Sequence, residues 1–327
     1  MFKKIIFFSF IVILNYILIS ILVFSFSYLS LINNKTYDLF WIKSIQKKIY
    51  FRGTRNIWQY KNECVKFDRV LFYAPKNGLC KFNNPEFKTL LNFKDGIRLN
   101  SNKIIFNKKD TQIGVIGDSF AMGWGVNDME TFSSILERKL NKKVYNFGVA
   151  SYGTIREITK LINSDHYKNI KTIIIQYHFN DLEENLSSNV SKIYQKDEYS
   201  KVFELDNYSN KKTNFLLKNF KSSLRLFFSD ILDIIFYEKN LRKIDFNLHN
   251  PYIEKFIMNN LDYKNKRIIV LHIDEPGFKV VNFPESNKHI EYLNVKLNKS
   301  NFFIVDDHLN RNGHNAVAEK LNKYLTE

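Results

Sequence analysis

Apolar and polar positions follow three different patterns along this chain of 327 residues. The first is an apolar run from Ile5 to Ile32, interrupted only by Ser, Tyr and one Asn. The second reaches to about residue 110 and contains short β-like runs separated by Pro, Gly and Asn. From about residue 111, short apolar runs alternate with segments whose apolar residues recur at helical spacing. These patterns predict an apolar helix at residues 1–33, a β-rich lead-in at 34–110 and an α/β domain at 111–327.

The third region has the rhythm of a parallel sheet that helices cover on both faces. We predict five strands in it, at Gln112–Ile116, Val144–Phe147, Thr172–Gln176, Arg267–Ile273 and Phe302–Val305. The helices predicted with them lie at Thr131–Leu140, Thr154–Asp165 and Asn312–Leu325. Residues 182–265 interrupt this rhythm, and we interpret them as a helical insertion over the rim of the domain. The predicted fold class is α/β, a three-layer α/β/α sandwich around a parallel five-stranded sheet.

The apolar run is long enough to cross a membrane. Its 28 residues would extend about 42 Å as a helix, against a hydrocarbon core of roughly 30 Å. A cleavable signal peptide has a shorter apolar region and small residues at its exit, which Ser25-Phe26-Ser27 does not supply. We therefore predict an uncleaved single-pass anchor, with a buried core helix as the alternative.

The charge of the chain bears on its partners and its orientation. The net charge is +16, but the Lys residues are scattered, which is typical of a solvated surface. Nucleic-acid binding would rest on this charge alone, and we do not predict it. The flank after the apolar run is the more basic one, so the positive-inside rule taken literally would place the large domain in the cytoplasm. Large domains cross largely regardless of charge, so the residues leave the orientation open.

Four short polar motifs lie where predicted strands end. They are Gly117-Asp118-Ser119-Phe120, Asn146-Phe147-Gly148, Asn180-Asp181 and Asp306-Asp307-His308. In a parallel sheet of this kind, ligands bind outside the carboxyl ends of the strands, so these motifs are predicted to converge on one edge. Together they supply a nucleophile, oxyanion donors, and a base with a carboxylate beside it, which are the parts that acyl transfer needs.

Ser119 is the predicted nucleophile, and His308 is its predicted base. A Ser hydroxyl is a poor nucleophile at neutral pH, and an imidazole titrates near the working pH. We prefer Asp306 over Asp307 as the carboxylate that orients the ring, since an immediately adjacent side chain usually points the other way. Each motif also has a structural interpretation as a helix cap or turn, so the prediction depends on all four together.

The predicted oxyanion hole has three donors. They are the backbone N–H groups of Ser119 and Gly148 and the side-chain amide of Asn180. Taken singly, Gly148 is more often a turn glycine, and Asn180 a turn or cap residue. Their positions after two neighbouring predicted strands favour the functional interpretation.

Other titratable residues are weaker candidates. His272 and Asp274 end the fourth predicted strand and form a back-up pair. His178 stands two residues before Asn180 and is expected to line the same site. His314 lies in the first turn of the last helix, where packing or capping is the better interpretation.

The two cysteines, Cys64 and Cys80, both lie in the lead-in. They can form a disulfide if the domain lies outside the cytoplasm, and they are ordinary thiols if it lies inside. Neither is near the motifs, and two Cys without matching His pairs do not make a zinc site.

The motifs extend into four longer blocks, at Gly117–Val126, Asn146–Thr154, His178–Asp181 and Asp306–His314. In this order the blocks resemble the signatures of the SGNH/GDSL hydrolase superfamily, over roughly residues 111–325 apart from the insertion. The sequence departs from the family pattern twice. His178 stands where the family usually has Gly, and the usual Asp position, three residues before the His, is Val305 here.

The resemblance implies the flavodoxin-like SGNH fold without a metal cofactor. It also implies Ser119 as nucleophile, Gly148 and Asn180 as oxyanion donors, and His308 as base, with the carboxylate role falling on Asp306. The segment Asn92–Arg98 is similar to the lead-in of membrane-anchored members, so we expect the catalytic domain to be extracytoplasmic, in the periplasm.

The function implied is that of a serine esterase, acting on a carboxylic ester of a glycan or lipid, acetyl esters included. An O-acyltransferase acting on a cell-surface polysaccharide is the first alternative. A non-catalytic, membrane-tethered binding or assembly protein is the second. The expected partners are the ester substrate and the membrane.

Overall fold

The computed structural model describes residues 2–51, 55–102, 104, 106, 112–187, 193–203 and 242–327. Most of the predicted helical insertion, including its apolar stretch at 215–237, therefore lies outside the described residues. The described parts form a mixed α/β architecture with a long apolar helix near the N-terminus.

Nine α-helices occur in the described ranges. They are α1 Phe2–Ile32, α2 Phe40–Ile49, α3 Ser119–Met122, α4 Phe132–Leu140, α5 Thr154–Ile162, α6 Asp181–Ser187, α7 Lys196–Phe203, α8 Phe246–Asn260 and α9 Arg311–Thr326. The three predicted helices of the α/β domain coincide with α4, α5 and α9 to within a few residues. Local capping explains two of their starts, because Thr131 accepts a backbone N–H of α4 and Asn310 accepts two of α9.

Twelve strands accompany these helices in the same ranges. They are β1 Val65–Asp68, β2 Phe72–Pro75, β3 Gly78–Asn84, β4 Phe87–Lys94, β5 Ile97–Arg98, β6 Gln112–Gly117, β7 Val144–Asn146, β8 Ile170–Tyr177, β9 Arg242–Asp245, β10 Arg267–Asp274, β11 Phe278–Val281 and β12 Ile290–Lys296. Four of the five predicted strands coincide with β6, β7, β8 and β10.

A sheet of eight strands forms the centre, in the order β12-β10-β8-β6-β7-β5-β4-β3. The first five strands pair in parallel, and the pairings from β7 to β3 are antiparallel. Strand β6, which leads to Ser119, lies between β8 and β7. The carboxyl ends of these three neighbours carry the first three motifs, which therefore meet at one edge of the sheet.

The prediction of a parallel five-stranded sheet is wrong in two respects. The lead-in strands β3, β4 and β5 extend the sheet and make it mixed. The segment Phe302–Val305 is not a strand, and the edge position belongs to β12 instead. The physical reason is that the backbone N–H groups of residues 304–306 donate to the carboxylate of Glu86, so they are not available to a neighbouring strand.

Helices cover both faces of the parallel strands. On one face, α5 and α8 pack against Ile173 and Ile175 of β8. On the other face, α4 and α9 pack in the cluster that contains Ile174. Successive strand residues point to opposite faces, so burial on both sides explains the continuous apolar run of β8.

The lead-in packs against the segment that follows Ser119. Its apolar cluster joins aromatic residues of both regions, namely Trp58, Tyr73, Phe82, Phe93, Trp124 and Tyr152. Cys64 and Cys80 form a disulfide within this region, with their Cα atoms 5.5 Å apart. The lead-in is therefore in direct contact with the functional edge of the sheet.

Helix α1 is long and apolar enough to cross a membrane, by length and composition. Its large side chains are mostly exposed as far as Leu22, and a span of about 20 residues crosses the hydrocarbon core. Near its end, Phe24 and Leu31 pack against Ile45 and Ile49 of α2.

Candidate active site

Ser119 begins helix α3 directly after the central strand β6. Asp118 caps this helix by accepting a backbone N–H at 2.8 Å. Gly117 has a φ of +150°, and a β-carbon there would lie 2.7 Å from Ala121 Cβ and from Gln176 Oε1. Glycine is the residue that fits both the backbone angle and the available space. The turn therefore presents the Ser119 hydroxyl at the carboxyl end of the sheet.

The hydroxyl of Ser119 lies against the imidazole of His308. Ser119 Oγ is 2.8 Å from His308 Nε2, although 189 residues separate them in sequence. The other ring nitrogen, Nδ1, hydrogen-bonds the carboxylate of Asp306. Asp307 has a φ of +66° and pairs with Lys47 Nζ at 2.5 Å. Of the two adjacent aspartates, Asp306 is therefore the one in contact with the ring.

Asp306 is buried and yet favours its ionised form. Its Oδ2 accepts the hydroxyl of Tyr50 and, at 3.3 Å, the indole N–H of Trp124, while Arg55 Nε lies 3.5 Å away. Burial alone would raise its pKa, but His308, followed by Arg55 and Tyr50, outweighs burial and lowers the pKa to about 2. A carboxylate charged at neutral pH can hold the ring tautomer and stabilise an imidazolium.

The loop that carries Asp306 and His308 is held by Glu86, in the turn between β3 and β4. The Glu86 carboxylate accepts the N–H of Ile304 at 2.7 Å and those of Val305 and Asp306 at 2.8 Å each. Hydrogen bonds to an ionised acceptor are stronger than neutral ones. The three hydrogen bonds to Glu86 hold the loop in position, as pairing with a neighbouring strand would otherwise do.

Arg98 of β5 fixes the turn that follows α3. Its side chain is buried, and it donates to the carbonyl oxygens of Met122, Gly123 and Val126. Its Nε is 3.0 Å from Asp128 Oδ1. The carbonyl groups at a helix end have no partner within the helix, so a buried guanidinium there stabilises the turn behind Ser119.

Sequence reasoning missed the residues that hold the loop of Asp306 and His308, which we call the acid–base loop. Tyr50 lies 256 residues from its partner Asp306, and Glu86 lies 220 residues from the same residue. No local pattern marks either one. For Arg98 there was one signal, the similarity of Asn92–Arg98 to the lead-in of membrane-anchored members.

Gly148 lies beside α3, but its N–H is engaged. A β-carbon at this position would overlap the backbone nitrogen of Met122, so the backbone packs directly on the helix that Ser119 begins. The Gly148 N–H donates to Asn146 Oδ1 at 3.0 Å. An oxyanion would have to share or replace this hydrogen bond, and the donor role of Gly148 stays a prediction.

Asn180 follows β8 at the same edge of the sheet and is exposed. It lines a cavity of about 390 Å³ together with Ser151 and Glu184. Ser119 lines a cavity of about 270 Å³, and Ser151 lines this one as well. The structure thus places Asn180 and Ser119 in adjoining cavities, and the oxyanion role of the Asn180 amide stays a prediction.

His178 forms a second histidine–carboxylate pair near Ser119. Its ring stacks on Phe120 at 5.2 Å, and Phe120 lies at the same distance from the ring of His308. His178 Nε2 is 2.5 Å from Glu275 Oε1. Burial would lower the pKa of His178, but Glu275 and Asp118 raise this pKa to about 10. Glu275 follows β10 outside any motif, so no local pattern marks it.

Three buried carboxylates lie close together on the His178 side of Ser119, namely Asp118, Asp181 and Glu157. Burial raises the pKa of each, and the neighbouring carboxylates raise those of Asp181 and Glu157 further. Within the described part of the chain, Asp181 Oδ1 and both Glu157 carboxylate oxygens have no hydrogen-bond partner. The same part contains no group of three His, Cys, Asp or Glu side chains suited to hold a metal ion.

The remaining candidate histidines are buried and favour the neutral form. His272 Nε2 is 3.6 Å from Asp274 Oδ1, and its ring packs against Phe246 at 5.1 Å. His314 Nδ1 accepts the N–H of Phe132 at 3.2 Å. Burial lowers the pKa of both histidines to about 3. The described contact of the Ser119 hydroxyl is with His308 and not with this back-up pair.

Comparisons with known proteins give structural neighbours only. No protein-family model matches the chain, and no curated protein matches its sequence. A protein of the G-D-S-L family described as lipolytic, from Desulfitobacterium hafniense, is similar at 12% identity and a TM-score of 0.31, over 65% of this chain and 99% of that one. A carbohydrate esterase is similar at 13% identity and a TM-score of 0.39, over 81% and 86%.

A family two carbohydrate esterase from Cellvibrio japonicus is a further neighbour, at 12% identity and a TM-score of 0.32, over 66% of this chain and 60% of that one. A G-D-S-L protein is thus among the similar structures, the family that the sequence motifs resemble. At these identities the similarity does not extend to activity, and function is inferred from the contacts of Ser119.

Proposed function

We propose that this protein is a membrane-anchored serine esterase that hydrolyses a carboxylic ester through an acyl-enzyme. The proposal depends on the continuous contacts from Ser119 Oγ to His308 Nε2, at 2.8 Å, and from His308 Nδ1 to Asp306. This series supplies a nucleophile, a base within reach of it, and a carboxylate that orients the base. A serine that served only as a helix cap would not need a histidine and a carboxylate lined up behind its hydroxyl.

In the acylation step, Ser119 Oγ attacks the ester carbonyl carbon while its proton passes to His308 Nε2. The carbonyl electrons move to oxygen, and Asp306 stabilises the imidazolium. When the tetrahedral intermediate collapses, the alcohol leaves with the proton from Nε2. Water then attacks the acyl carbon and gives a proton to the same nitrogen. Nε2 passes this proton to Ser119 Oγ as the acyl–oxygen bond breaks, which releases the carboxylic acid and restores the Ser119 hydroxyl.

The proposed oxyanion donors are the N–H groups of Ser119 and Gly148 and the amide of Asn180. One such donor typically lowers the barrier by about 3 kcal/mol, or about 10² to 10³ in rate. The Gly148 N–H can serve once the oxyanion competes with Asn146 Oδ1, its present acceptor. The negative charge of an oxyanion makes it the stronger acceptor of the two.

The cavity beside Ser119 favours a short acyl group. Its volume is about 270 Å³, and its lining includes Arg55, Trp58, Gln59 and Trp124. Pockets for small molecules run from about 300 to 1,000 Å³, so this one is at the small end. An acetyl ester fits such a space, and the larger alcohol, glycan or lipid, would extend into the adjoining cavity at Asn180.

Two features bear on where the protein lies, one on the anchor and one on the side of the membrane. The exposed apolar part of α1 has the length of a membrane span, which supports an anchor. The disulfide Cys64–Cys80 is of a kind that persists in oxidising compartments. We propose that α1 anchors the chain and that the catalytic domain lies on the extracytoplasmic side.

The test is the variant Ser119→Ala, assayed with p-nitrophenyl acetate. We expect kcat to fall at least about 10³-fold, because the nucleophile is removed while the base and the cavity remain. The exposed Ser300→Ala is the control and should keep wild-type kcat. Undiminished hydrolysis by Ser119→Ala would contradict the assignment of the nucleophile.

Product analysis separates esterase from O-acyltransferase. Both reactions use the same acyl-enzyme, and a sugar hydroxyl replaces water in the second. With a glycan acceptor present, an esterase releases the free acid and leaves the glycan unmodified, whereas a transferase acylates it. A Ser119 that fails to react with a fluorophosphonate probe would favour the third candidate, a non-catalytic binding or assembly protein.

A further inference from the structure

We propose that Tyr50, directly after α2, is a positioning residue that holds the Asp306 carboxylate against His308 and links the active site to the membrane helix. This inference rests on the proposed function of Ser119. Tyr50 is 1% exposed, and its hydroxyl donates to Asp306 Oδ2. A buried tyrosine hydroxyl needs a hydrogen-bond partner, and here the partner is the carboxylate of the acid–base loop.

Asp306 divides its two oxygens between the ring and the lead-in. Oδ1 accepts from His308 Nδ1, and Oδ2 accepts from Tyr50. With both ends engaged, the carboxylate cannot turn about its Cβ–Cγ bond without breaking a hydrogen bond. The Trp124 indole N–H also donates to Oδ2, at the longer distance of 3.3 Å. Tyr50 is therefore the close neutral donor opposite the ring.

The groups that face Asp306 come from several elements of the chain. They are His308 on its own loop, Tyr50 and Arg55 after α2, Glu86 in the β3–β4 turn, Trp124 after α3, and the rim pair Lys47–Asp307. Burial, followed by the charge of Asp306, keeps the pKa of Tyr50 far above its usual range. Removing this hydroxyl therefore changes a hydrogen bond to Asp306 and leaves the formal charge of the site unchanged.

Tyr50 is also held from the side of the apolar helix. It follows Ile49, which packs with Ile45 against Phe24 and Leu31. One peptide step and one hydrogen bond thus connect this cluster to the carboxylate of the acid–base loop. A shift of α1 relative to the domain would change where Tyr50 holds Asp306.

The test is Tyr50→Phe in the full-length chain, reconstituted in detergent micelles and assayed with p-nitrophenyl acetate. We expect kcat to fall about tenfold with KM changed less than about twofold, because a hydrogen bond to a charged group is lost and the cavity is kept. The acid limb of the kcat/KM profile should move to higher pH. A carboxylate with one donor fewer holds the proton of the imidazolium more tightly.

Tyr292→Phe is the matched control. Tyr292 is also buried, and its hydroxyl donates to Asn250 Oδ1 at 2.5 Å and lies 3.1 Å from Glu254 Oε1. This variant loses an equivalent hydroxyl in the first half of β12, so its pH profile should match that of the wild type. If Tyr50→Phe also keeps the wild-type profile and kcat, or if both variants lose activity equally, the positioning role is overturned.

The Nδ1–H proton resonance of His308 gives a measure that does not depend on turnover. We expect it to shift in Tyr50→Phe and to stay in place in Tyr292→Phe, and both results should hold when Ser119 is also replaced by Ala. An unchanged resonance in Tyr50→Phe overturns the inference. A shifted resonance in a protein whose Ser119→Ala variant keeps full activity supports the positioning role and overturns the proposed function alone.

Discussion

Buried carboxylates lie on both sides of Ser119, one on the His308 side and three on the His178 side, and their pKa values are shifted in opposite directions. On one side, the pKa of Asp306 is lowered to about 2. On the other side, burial raises the pKa of Asp118, Asp181 and Glu157. All four residues are at most 2% exposed, so the degree of burial does not explain the difference.

The difference comes from the partners. Asp306 is surrounded by an imidazole, a guanidinium, a phenol and an indole N–H. Within the described residues, Glu157 has no hydrogen-bond partner for either oxygen. Asp118 Oδ2 faces His178 Nδ1 at 3.9 Å, which is beyond hydrogen-bonding distance. Burial raises the pKa of every one of these carboxylates, and neighbours from distant parts of the chain decide whether the net shift is upward or downward.

The largest expected effect is the loss of kcat when Asp306 is replaced. Asp306→Asn should lower kcat by about 10³ to 10⁴, because an amide cannot stabilise the imidazolium and favours the wrong ring tautomer. The measurement is kcat with p-nitrophenyl acetate, with a thermal melt to check folding. Asp307→Asn removes the adjacent carboxylate, which contacts Lys47 and not the ring, and should change kcat less than about twofold. Equal losses in the two variants would contradict the distinction.

The free energy of unfolding should depend on pH in opposite ways for Asp306 and for Glu157. The folded pKa of Asp306 lies below its ordinary value of 3.8, so its contribution is present above that pH and lost as pH falls toward about 2. The folded pKa of Glu157 is raised above its ordinary value of 4.5, so its ionisation opposes folding as pH rises. Asp306→Asn should therefore be destabilised near neutral pH, and Glu157→Gln should be stabilised there.

Chemical unfolding of the full chain across pH measures both effects. We expect Asp306 to contribute about 2 kcal/mol above its ordinary pKa, so the deficit of Asp306→Asn should shrink as pH approaches 2. Glu157→Gln should gain about 1 kcal/mol near neutral pH, because the wild-type carboxyl must there either hold a proton or bury a charge without hydrogen-bond partners. A less stable Glu157→Gln would mean that this carboxylate is compensated, and the contrast between the two sides would fail.

The smallest effect is expected at the rim. Lys47 and Asp307 form a pair whose side chains are 30% and 49% exposed. Exposed pairs of this kind contribute about 0 to 1 kcal/mol. Lys47→Met should therefore change kcat less than about twofold and stability by less than about 1 kcal/mol. A larger loss of activity would show that the rim pair also orients the acid–base loop.

The sequence predicted the strands of the parallel part of the central sheet that were continuous and apolar, and it missed the edge strand β12. Strand β8 is buried on both faces, so its run of isoleucines identified it. Strand β12 alternates apolar and polar residues at the edge of the sheet and has no such run. The apolar segment Phe302–Val305 looked like a strand, but Glu86 takes up the N–H groups that a strand would use.

The sequence by itself determined that Ser119, Gly148 and Asn180 follow the ends of three strands, because hydrophobic periodicity is local, and it predicted one shared edge because parallel strands end there. The tertiary structure decided which aspartate contacts His308 and which carboxylate favours the ionised form. It also decided that Tyr50 and Glu86 hold the acid–base loop. The contacts of Tyr50 and Glu86 join residues more than 200 positions apart, and no local pattern in a single sequence encodes such contacts.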